Sequence, residues 1–144
     1  MKIIREFQRK FRFLSNFYLV PIEYEGMIYP SVEHAYQSSK TDDPEERRHI
    51  AQMKNAGNVK KYAKKFQRSE DWENKKVRIM KELVKQKFEV PYLRTWLDDT
   101  KGSILQEGNL WRDEFWGVNL ANGKGQNWLG KILMEIRDGI VPDE

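Results

Sequence analysis

A chain of 144 residues with no cysteine and only two histidines, His34 and His49, excludes a disulfide framework, a cysteine nucleophile and a histidine-rich metal site. Its formal net charge of +4 is unevenly spread: Arg47 to Lys87 holds 14 Lys and Arg against 4 Asp and Glu, so the remainder is acidic. Hydrophobic residues reach only 39%, which leaves five Trp, six Tyr and seven Phe to supply much of the core.

The length predicts one domain, residues 1–144. Met1 to Lys10 is charged and lacks the apolar stretch of a secretory signal, and no segment is long enough to cross a membrane. The expectation is a cytoplasmic protein with no metal, no cofactor and no membrane partner. The basic central third fits either solvated helix faces or a surface that attracts a phosphorylated substrate or nucleic acid.

In chain order, Ile22 to Tyr24 and Met27 to Tyr29 are β-prone runs joined by Glu25-Gly26, a hairpin signal. Ser31 caps a short helix from Val32 to Lys40. Asp43-Pro44-Glu45-Glu46 starts another, with Asp as cap, Pro at the first position and Glu46 completing a capping box; it runs to Lys54 and stops at Gly57. Asn58 caps a helix through Phe66. Ser69 opens the longest helix, with Val77, Met80, Val84 and Phe88 at helical spacing. Pro91 restarts a helix carrying Leu93, Trp96 and Leu97, and Ser103 to Gln106 reads as a strand. A loop over Gly117 to Gln126 leads to a last helix with an apolar stripe of Leu129, Ile132, Leu133, Ile136 and Ile140. The fold class is mainly α with a small β element, α+β.

Three segments carry chemistry. In Phe13-Leu14-Ser15-Asn16-Phe17-Tyr18, Asn16 either fixes a turn or presents its amide to a sugar or base. In Ser31 to Lys40, helical spacing sets Glu33, Gln37 and Lys40 on one stripe beside a core face of Val32, Ala35, Tyr36 and Ser39. That stripe is either an exposed Glu-to-Lys surface or a carboxylate, amide and ammonium aligned on a sugar, where the carboxylate stabilises an oxocarbenium-like transition state. His34 points elsewhere and reads as a packed or surface histidine. In Trp111 to Gly117 and the glycine loop after it, Trp116 is either an aromatic plug or a wall for a base, and Asp113 has a carboxylate for ribose hydroxyls. Gly123-Lys124-Gly125 lies before a helix, where backbone N–H groups meet phosphate, although the full P-loop pattern is absent.

Taken together, these segments resemble the NADAR, or YbiA-like, family. The resemblance rests on Ser15-Asn16-Phe17; on Ser31 to Lys40 as Ser-x-Glu-His-x-Tyr-Gln-x-x-Lys; and on Trp72, Met80 and Lys87-Phe88. It extends through Asp113-x-x-Trp116-Gly117 to Gly123-x-Gly125-x-Asn127-x-Leu129-Gly130-x-x-Leu133-Met134-x-x-Arg137, nearly the whole chain. Between the central helices the chain departs from the family, running from Lys64 to Arg68 and quickly on to Trp72, so no substrate contact is carried over to Arg68.

The resemblance implies a compact single-domain YbiA-like fold. It also implies an N-glycosidase that breaks a bond between ribose C1 and an exocyclic amine. The substrate would be a ribosylaminopyrimidine phosphate of riboflavin biosynthesis or, alternatively, ADP-ribose on guanine in DNA or RNA. A noncatalytic module binding NAD or ADP-ribose is the third possibility. Carried over, Glu33 is the acid/base or charge stabiliser and Lys40 the candidate imine-forming lysine. Asn16, Gln37, Asp113, Trp116, Gly123, Lys124 and Asn127 are the expected substrate-binding residues.

Overall fold

Apolar residues at helical spacing dominate the sequence, and helices dominate the computed structural model, which describes residues 2–139. The chain begins with β1 (Lys2–Ile4), a 3-10 turn (Arg9–Leu14), β2 (Ile22–Tyr24) and β3 (Met27–Tyr29). Then come α1 (Val32–Ser38), α2 (Pro44–Gln52), α3 (Ala56–Tyr62) with a 3-10 extension (Ala63–Lys65), and α4 (Trp72–Lys87). The remainder is α5 (Pro91–Asp98), β4 (Ser103–Leu105), β5 (Gly108–Asn109), β6 (Val118–Asn119) and α6 (Trp128–Asp138). The class is α+β with helix predominant, as the sequence implies. No helix among the described residues is long and apolar enough to cross a membrane.

Two compact units make up the chain: a central one, Asn16–Lys87, and a terminal one formed by Met1–Ser15 and Phe88–Glu144. In the central unit β2 and β3 pair antiparallel, with Tyr24 opposite Met27, and Glu25 (φ 46) and Gly26 (φ 86) make the left-handed turn that suits a two-residue hairpin. Helix α1 packs against α2, α3 and α4. Every one of its seven residues is therefore buried, polar side chains included.

Several predicted boundaries move. The Ser31 hydroxyl caps α1 by accepting from the His34 N–H at 3.1 Å, as expected, but the helix ends at Ser38. Asp43 caps α2 through the Glu45 N–H at 2.9 Å, whereas Glu46 accepts from the Tyr62 hydroxyl and Lys65 instead of closing a capping box. The cap of α3 is Asn55, not Asn58: the Asn55 Oδ1 accepts from the Asn58 N–H at 3.0 Å, so Gly57 lies inside this helix. Helix α4 starts at Trp72 and buries Trp72, Ile79, Met80, Leu83, Val84 and Lys87, with Val77 on its half-buried flank.

In the terminal unit β1 pairs parallel with β4, Lys2 opposite Ser103 and Ile4 opposite Leu105. Nothing in the charged N-terminal sequence announces β1, because the pairing that makes it a strand comes from residues about a hundred positions away. Helix α6 buries Leu129, Ile132 and Leu133; Ile136 is half-buried, and Ile140 lies outside the described residues. The last carbonyls of α6 accept from the Arg94 guanidinium, at 3.0 Å for Ile136 and 3.1 Å for Arg137, the favoured place for a cation. In α5, Leu93 and Leu97 are fully buried, but Trp96 is 44% exposed and stands edge-on to Phe13 and Tyr92.

Candidate active site

The polar residues of α1 are buried because the helix is short and surrounded. Glu33 and Gln37 are 7% and 4% exposed, so the stripe expected on the sequence is not a solvated surface. The Gln37 Nε2 donates to the Glu33 Oε2 at 2.7 Å, which orients the amide and leaves its Oε1 buried without a hydrogen-bond partner. A buried acceptor held in this way calls for a donor, either an ordered water or a hydroxyl. The Glu33 N–H donates to the Asn16 carbonyl at 3.0 Å, and the Asn16 Nδ2 reaches the Met80 sulfur at 3.5 Å. Asn16 thus ties the segment before the hairpin to α1 and α4.

His34 is a packing residue. It is fully buried, and burial lowers its pKa, so the ring is neutral: Nε2–H donates to the Met53 carbonyl at 2.9 Å and the Ser31 hydroxyl donates to Nδ1 at 2.7 Å. At the other end of α1, the Arg47 Nε donates to the Thr41 carbonyl at 2.8 Å, holding the chain where it leaves Lys40.

Lys40 is half-buried, with its Nζ 5.3 Å from the centre of the Tyr36 ring. Its pKa is lowered from the ordinary lysine value to about 8, first by desolvation and then by the positive charge of Arg68; Glu33 opposes the shift, and Lys60 and Lys76 add to it. A lysine near 8 keeps a neutral fraction on the order of a tenth at pH 7, enough for a nucleophilic amine.

Sequence reasoning missed Arg68, Lys60 and Lys76 around Lys40, since they come from separate segments and only the packing of α1 against α3 and α4 collects them. It missed Lys87 as well. That residue is 1% exposed; its ammonium group lies 5.5 Å from the Tyr18 ring and has its pKa pushed down to about 7 by burial. A signal existed: Lys87 stands three residues after Val84, on the buried seam of α4. A groove of about 590 Å³ along the hairpin and α4, lined by Glu23, Glu25, Lys75, Arg78 and Glu82 among others, includes none of the expected site residues.

The terminal unit holds Asp113, Trp116, Gly123, Lys124 and Asn127. Buried Asn109 clamps the backbone of Asp113 from both sides, its Oδ1 accepting at 3.0 Å and its Nδ2 donating at 2.9 Å. The Asp113 Oδ1 in turn accepts from the N–H groups of Phe115 and Trp116 at 3.1 and 2.9 Å. Trp116 is half-buried and edge-on to Phe115 at 4.8 Å.

The glycine loop uses its own donors. The Gly123 N–H goes to the Asn119 carbonyl and the Lys124 N–H to the Asn122 Oδ1, leaving neither for a phosphate. Gly125, at φ +151, passes so close to Gly117 that a Cβ there would lie 2.2 Å from its carbonyl oxygen. The Asn127 amide is also spent on the chain: it accepts from the Glu107 N–H at 3.0 Å and donates to the Leu105 carbonyl at 2.9 Å.

Comparison with known proteins gives the site its family. A riboflavin biosynthesis protein of Vibrio vulnificus is 33% identical over 129 residues, covering 88% of this chain but 35% of that protein, so the chain spans about a third of its length. The N-glycosidase YbiA of Escherichia coli K12 is 34% identical over 131 residues, covering 88% of this chain and 80% of YbiA. The NMR structure of E. coli YbiA shares the fold with a TM-score of 0.84 at 29% identity, over 96% of this chain and 84% of that one. The NADAR domain family model matches residues 4–141. Alike to YbiA in sequence and in fold, and matched by that model over nearly its full length, the chain belongs to the NADAR domain family.

Proposed function

We propose that the chain is an N-glycosidase that hydrolyses the bond between ribose C1 and the exocyclic amine of a base, with a small phosphorylated ribosylaminopyrimidine as substrate. The observation that carries this reading is the buried Glu33–Gln37 pair next to a lysine whose pKa lies near 8. A binding module has no need of a buried carboxylate beside a deprotonatable amine, since both are unfavourable to desolvate. The names of the relatives, N-glycosidase YbiA and riboflavin biosynthesis protein, support the same chemistry. Arg47, Arg48, Lys65, Lys75 and Lys76 of the basic run each pair with a carboxylate.

In this reading Glu33 faces the anomeric carbon and stabilises positive charge developing there. Lys40 takes over C1. The glycosylamine opens to its iminium form, the neutral Nζ adds to C1, and the C1–N bond to the base breaks as that nitrogen takes a proton. Water then hydrolyses the lysine imine, returning free ribose phosphate and the amine. Within the central unit Gln37 and Asn16 hold sugar hydroxyls; within the terminal unit Asp113, Gly123, Lys124 and Asn127 shape the loop that presents Trp116, whose flat ring suits a base. The deciding assay measures sugar release from a phosphorylated ribosylaminopyrimidine and from ADP-ribosylated guanosine. Release from the second alone reassigns the substrate to ADP-ribose on guanine; release from neither, with tight ADP-ribose binding, leaves a noncatalytic module.

Two further experiments extend the test. Borohydride added during turnover should trap one ribosyl group on Lys40, identified by peptide mapping. An adduct on Lys87 or Lys124 moves the imine to that residue, and no adduct together with an active Lys40→Ala ends the imine route. Trp116→Ala should lower kcat/KM about 10-fold at unchanged melting temperature, within the range for a lost base stack, while Trp116→Phe keeps most activity. Unfolding of Trp116→Ala with normal specific activity in the folded fraction would defeat the stacking role.

A further inference from the structure

Helix α1 ends at Ser38, and Lys40 sits in the turn that follows it. From within, that turn is held by the Lys40 N–H, which donates to the Gln37 carbonyl, and by the Thr41 N–H, which donates to the Ser38 carbonyl, both at 3.2 Å. A helix leaves its last carbonyls without partners of its own, and an arginine near that end can satisfy them. Here the arginine comes from α2. The Arg47 Nε–H is shared between the Thr41 carbonyl at 2.8 Å and the Ser38 carbonyl at 3.3 Å, so it grips the backbone on both sides of Lys40.

The rest of the guanidinium is fixed as well. Its Nη1 donates to the Glu25 Oε1 at 2.7 Å, its Nη2 lies 3.8 Å from the exposed Asp42 carboxylate, and its Cζ is 5.3 Å from the centre of the Tyr24 ring. Glu25 belongs to the left-handed turn of the hairpin, so the hairpin tip, α2 and the end of α1 meet on one side chain. That side chain is only 13% exposed, a burial that arginine accepts when its donors are engaged. The Glu25 side chain is 59% exposed, so the ion pair itself contributes little; the buried contact with the two carbonyls fixes the turn.

We infer that Arg47 is a positioning residue for Lys40: by gripping the Ser38 and Thr41 carbonyls it sets where the Lys40 amine stands relative to Glu33 and a bound sugar. This inference deepens the glycosidase reading and rests on it for the part that Lys40 plays. Attack on C1 needs the amine within about 3–3.5 Å of that carbon, and a displacement of about 1 Å costs up to about 100-fold in rate. A long, flexible lysine side chain meets that demand only if the backbone at its root is held.

Arg47→Met keeps an apolar stem and removes every donor. With the riboside, kcat should fall about 10- to 100-fold while KM stays within about 3-fold, because the sugar contacts remain and the amine is misplaced. Arg47→Lys keeps the charge but cannot serve the carbonyls and Glu25 together, and should lose about 3- to 10-fold. Glu25→Gln removes the ion pair, leaves the grip on the carbonyls, and should keep kcat within about 3-fold. A loosened turn also lets water reach the Lys40 amine. Its pKa should then move up from about 8 toward the ordinary 10.5, and the rate should reach its plateau at a higher pH. Arg68, Glu33, Lys60 and Lys76, whose charges act on that amine, all remain in the variants. NMR titration of the reductively methylated protein reads the same movement without any substrate.

Wild-type kcat and plateau pH in Arg47→Met, or losses that match the unfolded fraction in melting curves, overturn the positioning role and leave the glycosidase reading standing. A loss in Glu25→Gln as large as that in Arg47→Met also overturns it, since the hairpin ion pair would then carry the effect. Where Arg47→Met does not fold, Arg47→Lys decides by the same readouts, and wild-type values overturn the role. An upward movement of the Lys40 amine in Arg47→Met, with no riboside turned over by the wild type, keeps the grip on Lys40 and sinks the glycosidase reading.

Discussion

Glu33→Gln should melt like the wild type and lose on the order of 100-fold or more in turnover of a ribosylamine. The fold tolerates the change because the new amide oxygen can still accept from the Gln37 Nε2, and size is preserved in a site only 7% exposed. What disappears is the negative charge that opposes positive charge building at the anomeric carbon. A second readout follows. Glu33 is the group that raises the Lys40 pKa, so its removal lets that pKa fall below about 8. Any residual activity that uses neutral Lys40 should then reach its plateau at a lower pH than in the wild type. Near-normal turnover at wild-type stability would take Glu33 out of the mechanism.

Lys87→Met should raise stability by on the order of 1–4 kcal/mol at pH 6, the range seen when buried charge gives way to apolar packing. Met retains the length of the stem while removing the group that burial disfavours. The sign follows from linkage. The folded-state pKa lies near 7 and the unfolded one near the ordinary 10.5, so between these values the unfolded chain binds more protons and stability rises with pH. The destabilisation is complete below pH 7 and gone above about 10.5. Denaturant titrations of both proteins at pH 6 and pH 10 should therefore show a large gain at the first and little at the second. A loss of stability at pH 6 would mean that the contacts of Lys87 in the folded protein, the Tyr18 ring among them, outweigh its desolvation.

Among the elements, those with local signals were legible. Asp43-Pro44 set the start of α2, Glu25-Gly26 the hairpin, and Pro91 the start of α5, because caps and left-handed turns depend on a few adjacent residues. Asn55 defeated the reading of α3, since Asn55 and Asn58 offer the same capping chemistry and only packing chooses between them. The burial of Val59 in α3 favours the earlier start.

By itself the sequence determined that Glu33 and Gln37 share one face of α1, because i, i+4 spacing follows from helix geometry alone, whereas Lys40 lies just past the helix end at Ser38. It also carried the motifs that mark the family. Tertiary structure alone decided whether that face meets water: α2, α3 and α4 close around a seven-residue helix and turn its polar residues inward. The same packing brings Arg68, Lys60 and Lys76 to Lys40 and holds its pKa near 8. The physical reason is that desolvation and Coulomb interactions depend on distance in space, whereas spacing along a chain fixes only the neighbours within one element.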